Sequence, residues 1–150
     1  MRLIDVLYNK YYPLTLLNKY RARKRNSQKE LTILCGNCMG GYMYHQLNLP
    51  FQSPTINITM AQPDLLRFVQ NLDDYRNARF EQEHGLMARL DDIRVHFTHY
   101  DTFENGVKTW QKRFERVLKD NTYIIASDRD GITSEQIYEY ASVPCKKLVI

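Results

Sequence analysis

The chain lacks most of what would place it outside an aqueous, reducing compartment. Its 150 residues hold three cysteines, an odd number too small for a disulfide framework, so the thiols are expected to stay free. No stretch approaches the roughly 20 apolar residues that span a bilayer. The opening MRLIDVLYNK is broken by Asp5, so no signal peptide is expected. Internal repeats and low-complexity tracts are missing as well. These absences point to a cytoplasmic protein. Most of the chain also lacks an excess of basic charge. Residues 1–30 hold eight Lys and Arg against Asp5 and Glu30, a balance of +6. Of the 21 basic and 17 acidic residues in all, that leaves 13 and 15 for residues 31–150, a balance of −2. The basic segment KYRARKRN is read as a solvated helix face or arm. It could also touch an anionic membrane surface through residues 19–29. Nucleic acid is not expected as a partner, because no groove-reading helix or stacking cluster accompanies the charge.

What is present, 43% hydrophobic and 25% charged residues, suits one globular domain. The division expected is a basic helix or arm over 1–30 and a single α/β domain over 31–150. LTILC (31–35) reads as a buried strand, followed by a turn at Gly36, Asn37, Gly40 and Gly41 and a short helix stopped by Pro50. TINITM (55–60) alternates as a second strand. PDLLRFVQNLDDY (63–75) opens with Pro and Asp and repeats apolar residues as a helix does. IRVHFTHY (93–100) alternates strictly and predicts a strand. Asp101 and Glu104 predict a capping box for an amphipathic helix carrying Phe103, Val107, Trp110, Phe114 and Val117. TYIIA (122–126) reads as a buried strand with the loop SDRDG after it; Thr133 and Gln136 cap a helix to about Ala141, and KKLVI is a last strand. This alternation implies an α/β layered sandwich, a mostly parallel sheet with helices on both faces. Ending on Ile150 inside an apolar strand, the domain is expected to be incomplete at its C-terminus.

In open parallel sheets ligands bind outside the carboxyl ends of the strands. That rule collects Asn37, Cys38 and the glycines after the first strand, His99, Tyr100 and Asp101 after the strand at 93, and Ser127, Asp128, Arg129 and Asp130 after the strand at 122. Cys35 and Cys38 have redox-pair spacing, but Cys35 ends an apolar strand and the glycines weaken helix where such a pair needs it. One C-x-x-C with Cys145 and scattered histidines is poor zinc ligation, so no metal is expected. Cys35 reads as a buried small hydrophobe. Cys38, in a glycine turn just ahead of a helix, meets free N–H groups and a positive dipole end that favour thiolate. The alternative is a turn whose glycines serve backbone geometry alone. His99 is the better placed candidate base; His96 reads as a strand histidine, His45 as packing or surface, and His84 as a loop residue. In SDRDG, Asp128 or Asp130 could cap a turn paired with Arg129; otherwise Arg129 binds an anionic group while Asp128 orients a histidine.

GNCMGGYMYHQLNLPFQSPTINI, RLDDIRVHFTHY, WQKRFERV and SDRDGIT together resemble the bacterial exopolysaccharide-biosynthesis-associated family DUF1919. Its pattern runs Asn-Cys-x-Gly-Gly, Leu-Pro-x-x-Ser-Pro-Thr, Leu-Asp-Asp-Ile with a His-x-x-His-Tyr strand end, then Asp-Arg-Asp-Gly. The likeness covers about residues 31–150 and implies a role in exopolysaccharide or capsule synthesis, with no established reaction. Members run longer at the C-terminus, so the chain resembles one missing its last part. A looser similarity, carried by Gly36–Cys38 alone, is to capsule-polysaccharide acetyltransferases on a fold related to the SGNH hydrolases.

The function expected is therefore acyl transfer to a sugar or polysaccharide precursor at the inner membrane surface, from a donor such as acetyl-CoA. Cys38 would be nucleophile, His99 base and Asp128 its orienting carboxylate. Asn37, Gly40 and Gly41 would stabilise developing negative charge, with Tyr100, Arg129 and Asp130 near the substrate. The rival is a non-catalytic module for a nucleotide-sugar or an anionic glycan, with Arg129 as the anion contact.

Overall fold

The structure, a computed structural model, describes residues 30–127 and 130–145, the backbone of 147–149, and the helical residues Leu16, Leu17, Tyr20, Arg21, Arg23 and Lys24. The expected basic arm otherwise lies outside the described residues, as do Asp128 and Arg129.

The protein is mixed α/β, and among the described residues it holds two three-stranded sheets of different kinds. Strands β1 (Thr32–Cys35), β5 (Thr122–Ile125) and β6 (Lys147–Val149) form a parallel sheet in the order β1-β5-β6, each where the apolar runs predict it. Strands β2 (Phe80–His84), β3 (Met87–Leu90) and β4 (Ile93–His96) form an antiparallel sheet in chain order. The single, mostly parallel sheet is thus corrected on one point: the strand at 93 pairs with its own hairpin neighbour and not with the strands at 32 and 122. Helices are α1 (Met39–Leu47), α2 (Gln62–Gln70), α3 (Phe103–Phe114) and α4 (Ser134–Ser142).

Several local expectations change for identifiable reasons. Helix α1 begins at Met39, so Gly40 and Gly41 lie in its first turn and not in a preceding loop. It ends through Asn48 in the left-handed region (φ 55°), ahead of Pro50, because asparagine tolerates that conformation. The cap of α3 is Thr102, whose hydroxyl accepts the Asn105 N–H at 3.2 Å, and not Asp101. The Thr133 and Gln136 capping box on α4 is present as expected.

Residues 55–60 form no strand. They make a strap that ties the sheets together: Met60 N–H donates to Gly36 O at 2.8 Å beyond the end of β1, and Thr59 exchanges two 2.9 Å backbone bonds with His96 at the end of β4. Asn57 takes a left-handed conformation (φ 64°) within it.

Among the described residues no strand lies beside the outer edge of β1, and side chains close it. The Tyr44 hydroxyl accepts the Ile33 N–H at 2.8 Å and donates to Leu31 O at 3.0 Å; Thr55 Oγ1 accepts the Cys35 N–H at 3.0 Å. Two buried side chains thereby do the work of a neighbouring strand. Tyr44→Phe orphans both backbone groups and should cost about 2 kcal/mol in urea denaturation. Burial pushes the Tyr44 phenol up to about 12. The unfolded phenol titrates near 10, so its protonated form stabilises the fold fully below about pH 10 and is lost as pH rises toward about 12. Alkaline unfolding in that window should be shallower in Tyr44→Phe.

The main core lies where the antiparallel sheet meets α2 and α3, with Leu65, Phe68, Val95, Phe97, Trp110 and Phe114 buried. A smaller core of Leu31, Ile33, Tyr44 and Ile56 sits under α1. Gly106 lets α3 lie flat on Phe97: a Cβ there would stand 2.6 Å from that ring.

Candidate functional site

Of the three strands expected to deliver the chemistry, those at 32 and 122 share a sheet and that at 93 lies in the other, yet the segments after β1 and β4 meet. Cys38 Sγ stands 3.2 Å from His99 Nε2, and both residues are exposed. Cys38 occupies the N-cap position of α1, with its side chain making no capping bond to the first-turn amides. His99 is held by the strap and by its own loop. Its N–H donates to Asn57 O at 3.3 Å, the Phe97 N–H before it to Leu86 O at 2.9 Å, and the Tyr100 N–H after it back to Phe97 O at 3.3 Å. The left-handed turn at Asn57 is what aims that carbonyl at His99.

Asn37 organises the other half. Its Oδ1 accepts the Met39 N–H at 2.9 Å, capping α1 from outside, and faces Cys35 Sγ at 3.2 Å; its Nδ2 donates to Asp130 Oδ2 at 2.6 Å. The side chain expected to stabilise negative charge is thus engaged in fixing the turn and in joining the β1 and β5 loops. Gly40 approaches β1 closely enough that a Cβ would meet Cys35 Cβ at 3.1 Å, and its N–H faces the Cys35 sulfur. A Cβ on Gly41 would meet Ile56 at 3.3 Å. Both glycines therefore answer to packing. Tyr100 is half-buried: its hydroxyl donates to Ile56 O at 3.1 Å and accepts from Arg113 at 2.8 Å, bracing the strap. Burial raises its phenol, with Arg113 opposing the shift.

Cys35 is 1% exposed and burial pushes its thiol up, so the two cysteines of the C-x-x-C differ sharply. The redox-pair geometry is not met, since Cys35 lies within a strand and Cys38 alone heads the helix. Among the described residues no group of three or more His, Cys, Asp or Glu is placed to hold a metal ion, and no helix is long and apolar enough to cross a membrane. His45 is exposed near the basic segment, its carbonyl accepting from Arg23 at 3.3 Å, and His84 closes strand β2 instead of lying in a loop.

Asn57 and Thr59, which build the strap, carried no expectation of a role, and His96 was expected only as a strand residue although it lines a cleft with Asn37, Thr59 and Asp130. The Leu-Pro-x-x-Ser-Pro-Thr stretch held the signal for the strap: Ser53 and Thr55 are buried and hydrogen-bonded to each other at 3.0 Å.

An α/β protein that joins a thiol and an imidazole where a parallel and an antiparallel sheet meet is the class this fold defines. The chain belongs to the DUF1919 family, whose model, described as a domain of unknown function, matches residues 10–150. It is also 33% identical over 139 residues to an uncharacterized protein of Haemophilus influenzae. That match covers 89% of this chain and 66% of the Haemophilus protein, just under two thirds of its length.

Proposed function

We propose that the protein transfers an acyl group to a sugar of a cell-surface polysaccharide, with Cys38 as nucleophile and His99 as its base. The observation that carries this reading is the 3.2 Å contact between Cys38 Sγ and His99 Nε2 at an exposed helix N-terminus. His99 takes the Cys38 proton; the sulfur attacks the carbonyl of an acyl thioester such as acetyl-CoA, and the departing thiol leaves with the proton from His99. A Cys38 thioester results. In the second half a sugar hydroxyl gives its proton to His99, its oxygen attacks the thioester carbonyl, and the C–S bond breaks as the departing Cys38 sulfur takes that proton back from His99. Asp128, three residues beyond β5 in the sequence, is the proposed orienting carboxylate. The link to exopolysaccharide or capsule synthesis rests on the motif pattern. A remote kinship with SGNH hydrolases is supported by Gly36–Cys38 lying just beyond a strand of a parallel sheet. Action near the inner membrane surface is supported by the exposed Arg21, Arg23 and Lys24.

Labelled acetyl-CoA provides the test. The acetyl group should appear on the Cys38 peptide, be released by hydroxylamine, and be missing from Cys35, whose thiol is buried and raised. A folded protein that leaves Cys38 unacetylated would sink the reading.

A further inference from the structure

The WQKRFERV stretch gives Trp110 and Phe114 to the core, but Arg113 in the last turn of α3 has a different task. It is half-buried and reaches the strap. Its Nη1 donates to the Tyr100 hydroxyl at 2.8 Å and to Ile56 O at 3.1 Å, and the same hydroxyl donates to Ile56 O at 3.1 Å. The three atoms close a triangle of hydrogen bonds. The guanidinium also lies over the Phe51 ring, 5.2 Å from its centroid. Among the described residues its hydrogen bonds go to neutral oxygens, and no carboxylate stands within ion-pair distance of it. Such an arginine fixes geometry more than it balances charge.

We infer that Arg113 is a positioning residue for the Cys38 and His99 pair, a role that rests on the pairing proposed above. Both other corners of the triangle adjoin the pair. Tyr100 follows His99 in the chain, and Ile56 precedes Asn57, whose carbonyl accepts the His99 N–H at 3.3 Å. Ile56–Asn57 and His99–Tyr100 are therefore joined twice, once by that backbone bond and once through the Tyr100 hydroxyl, and Arg113 locks the second junction. Ile56 reaches the other partner as well. It is fully buried, and Gly41, three residues after Cys38, approaches it so closely that a Cβ there would stand 3.3 Å from its Cγ2. Holding Ile56 thus holds both the loop that carries His99 and the helix that Cys38 heads. A displacement of about 1 Å between them would take the thiol and the imidazole out of hydrogen-bond reach.

The side-chain type follows from this task. A planar guanidinium donates to two acceptors while its face lies on an aromatic ring. A lysine ammonium could reach an acceptor but has no flat face to lay on Phe51, and a methionine would fill the space of the stem without making either bond. Arg116 gives the contrast: it is exposed and reaches only Phe51 O, at 3.4 Å, outside the triangle.

The rate at which iodoacetamide alkylates Cys38 in the full chain, followed by mass spectrometry of the Cys38 peptide, tests this without any acyl donor. His99→Ala should slow the reaction, and Arg113→Met should slow it roughly tenfold. Tyr100→Phe keeps the ring and removes one corner of the triangle; it should slow the reaction too, and serves where Arg113→Met melts early. Arg113→Lys should fall between the wild type and Arg113→Met, and Arg116→Met should match the wild type. The coupling is decisive: in a His99→Ala background Arg113→Met should slow alkylation by less than about twofold, because no imidazole is left to place. A general loss of packing would slow both backgrounds alike, and that result overturns the assignment. So does a wild-type rate in both Arg113→Met and Tyr100→Phe, a wild-type rate in His99→Ala, or an equal slowing by Arg116→Met. Where Cys38 never accepts acetyl while the coupling holds, the transfer chemistry falls and the positioning role stands. Acetyl-Cys38 formed by a protein whose Arg113→Met variant alkylates at the wild-type rate removes the positioning role and leaves the transfer chemistry.

Discussion

Replacing Cys38 with alanine should abolish acyl transfer, and in a strain deleted for the native gene it should fail to restore the acylated surface polysaccharide. No other thiol can substitute: Cys35 is 1% exposed in β1, and Cys145 lies beyond α4. His99→Ala should lower turnover by roughly 10²–10⁴-fold, the range of a positioned general base, while the protein melts at its usual temperature. The imidazole is exposed and its anchor to Asn57 is a backbone bond, so alanine preserves the loop. Combining the two substitutions should cost little more than Cys38→Ala alone, because the residues act as one unit. Normal polysaccharide from both single variants would refute the assignment of the pair. So would strictly additive losses, which would mean two independent roles.

Gly106→Ala should destabilise the protein by about 3 kcal/mol, lowering its melting temperature by roughly 5–10 °C. The sign is the informative part. In an exposed helix interior the same change is worth up to about 1 kcal/mol in favour of alanine, from backbone entropy and propensity. Here the new methyl would lie 2.6 Å from Cγ of Phe97 and within 3.0 Å of two more of its carbons. Phe97 is itself fully buried, packed edge-on to Tyr100 and Phe103. Helix α3 must then lift or the ring must move, and the ring sits two residues before His99. Differential scanning calorimetry should show the drop, and acylation of Cys38 should slow in the same variant. A gain in melting temperature would mean that α3 does not lie on Phe97 as described.

The parts of the fold legible in the sequence are those whose burial leaves a periodic trace. Strands β1 and β5 are nearly continuous apolar runs because a parallel sheet covers them, and α2 and α3 repeat apolar residues at helical spacing because one face meets the core. The β2 and β3 hairpin escaped because FEQEHGLMARL pairs charge with charge. Glu81 stands opposite Arg89, and Glu83 takes both Arg89 and Arg94, so solvent-facing ion pairs mask the alternation. Gly85 at φ 52° was the available clue to its turn. Residues 55–60 misled in the opposite direction: Ile56 and Ile58 alternate and are buried, but they anchor a strap with one isolated bridge. Of the candidate site, the loop ends that carry Cys38, His99 and Asp130 were readable from the carboxyl-edge rule. The cleft was not, since it needs an antiparallel sheet that the pattern hid.

The strap has a consequence for how the protein matures. Cys38 and His99 are 61 residues apart in the chain and follow strands of separate sheets. In the fold the strap bonds to Gly36 on one side and to His96 on the other, and so ties together the two segments that carry them. A chain with just one of the two sheets formed would hold the thiol without its partner imidazole, and on the proposed chemistry it would not take up an acyl group. The rate at which Cys38 becomes acylated during refolding should therefore clock the docking of the two sheets and lag the recovery of secondary structure.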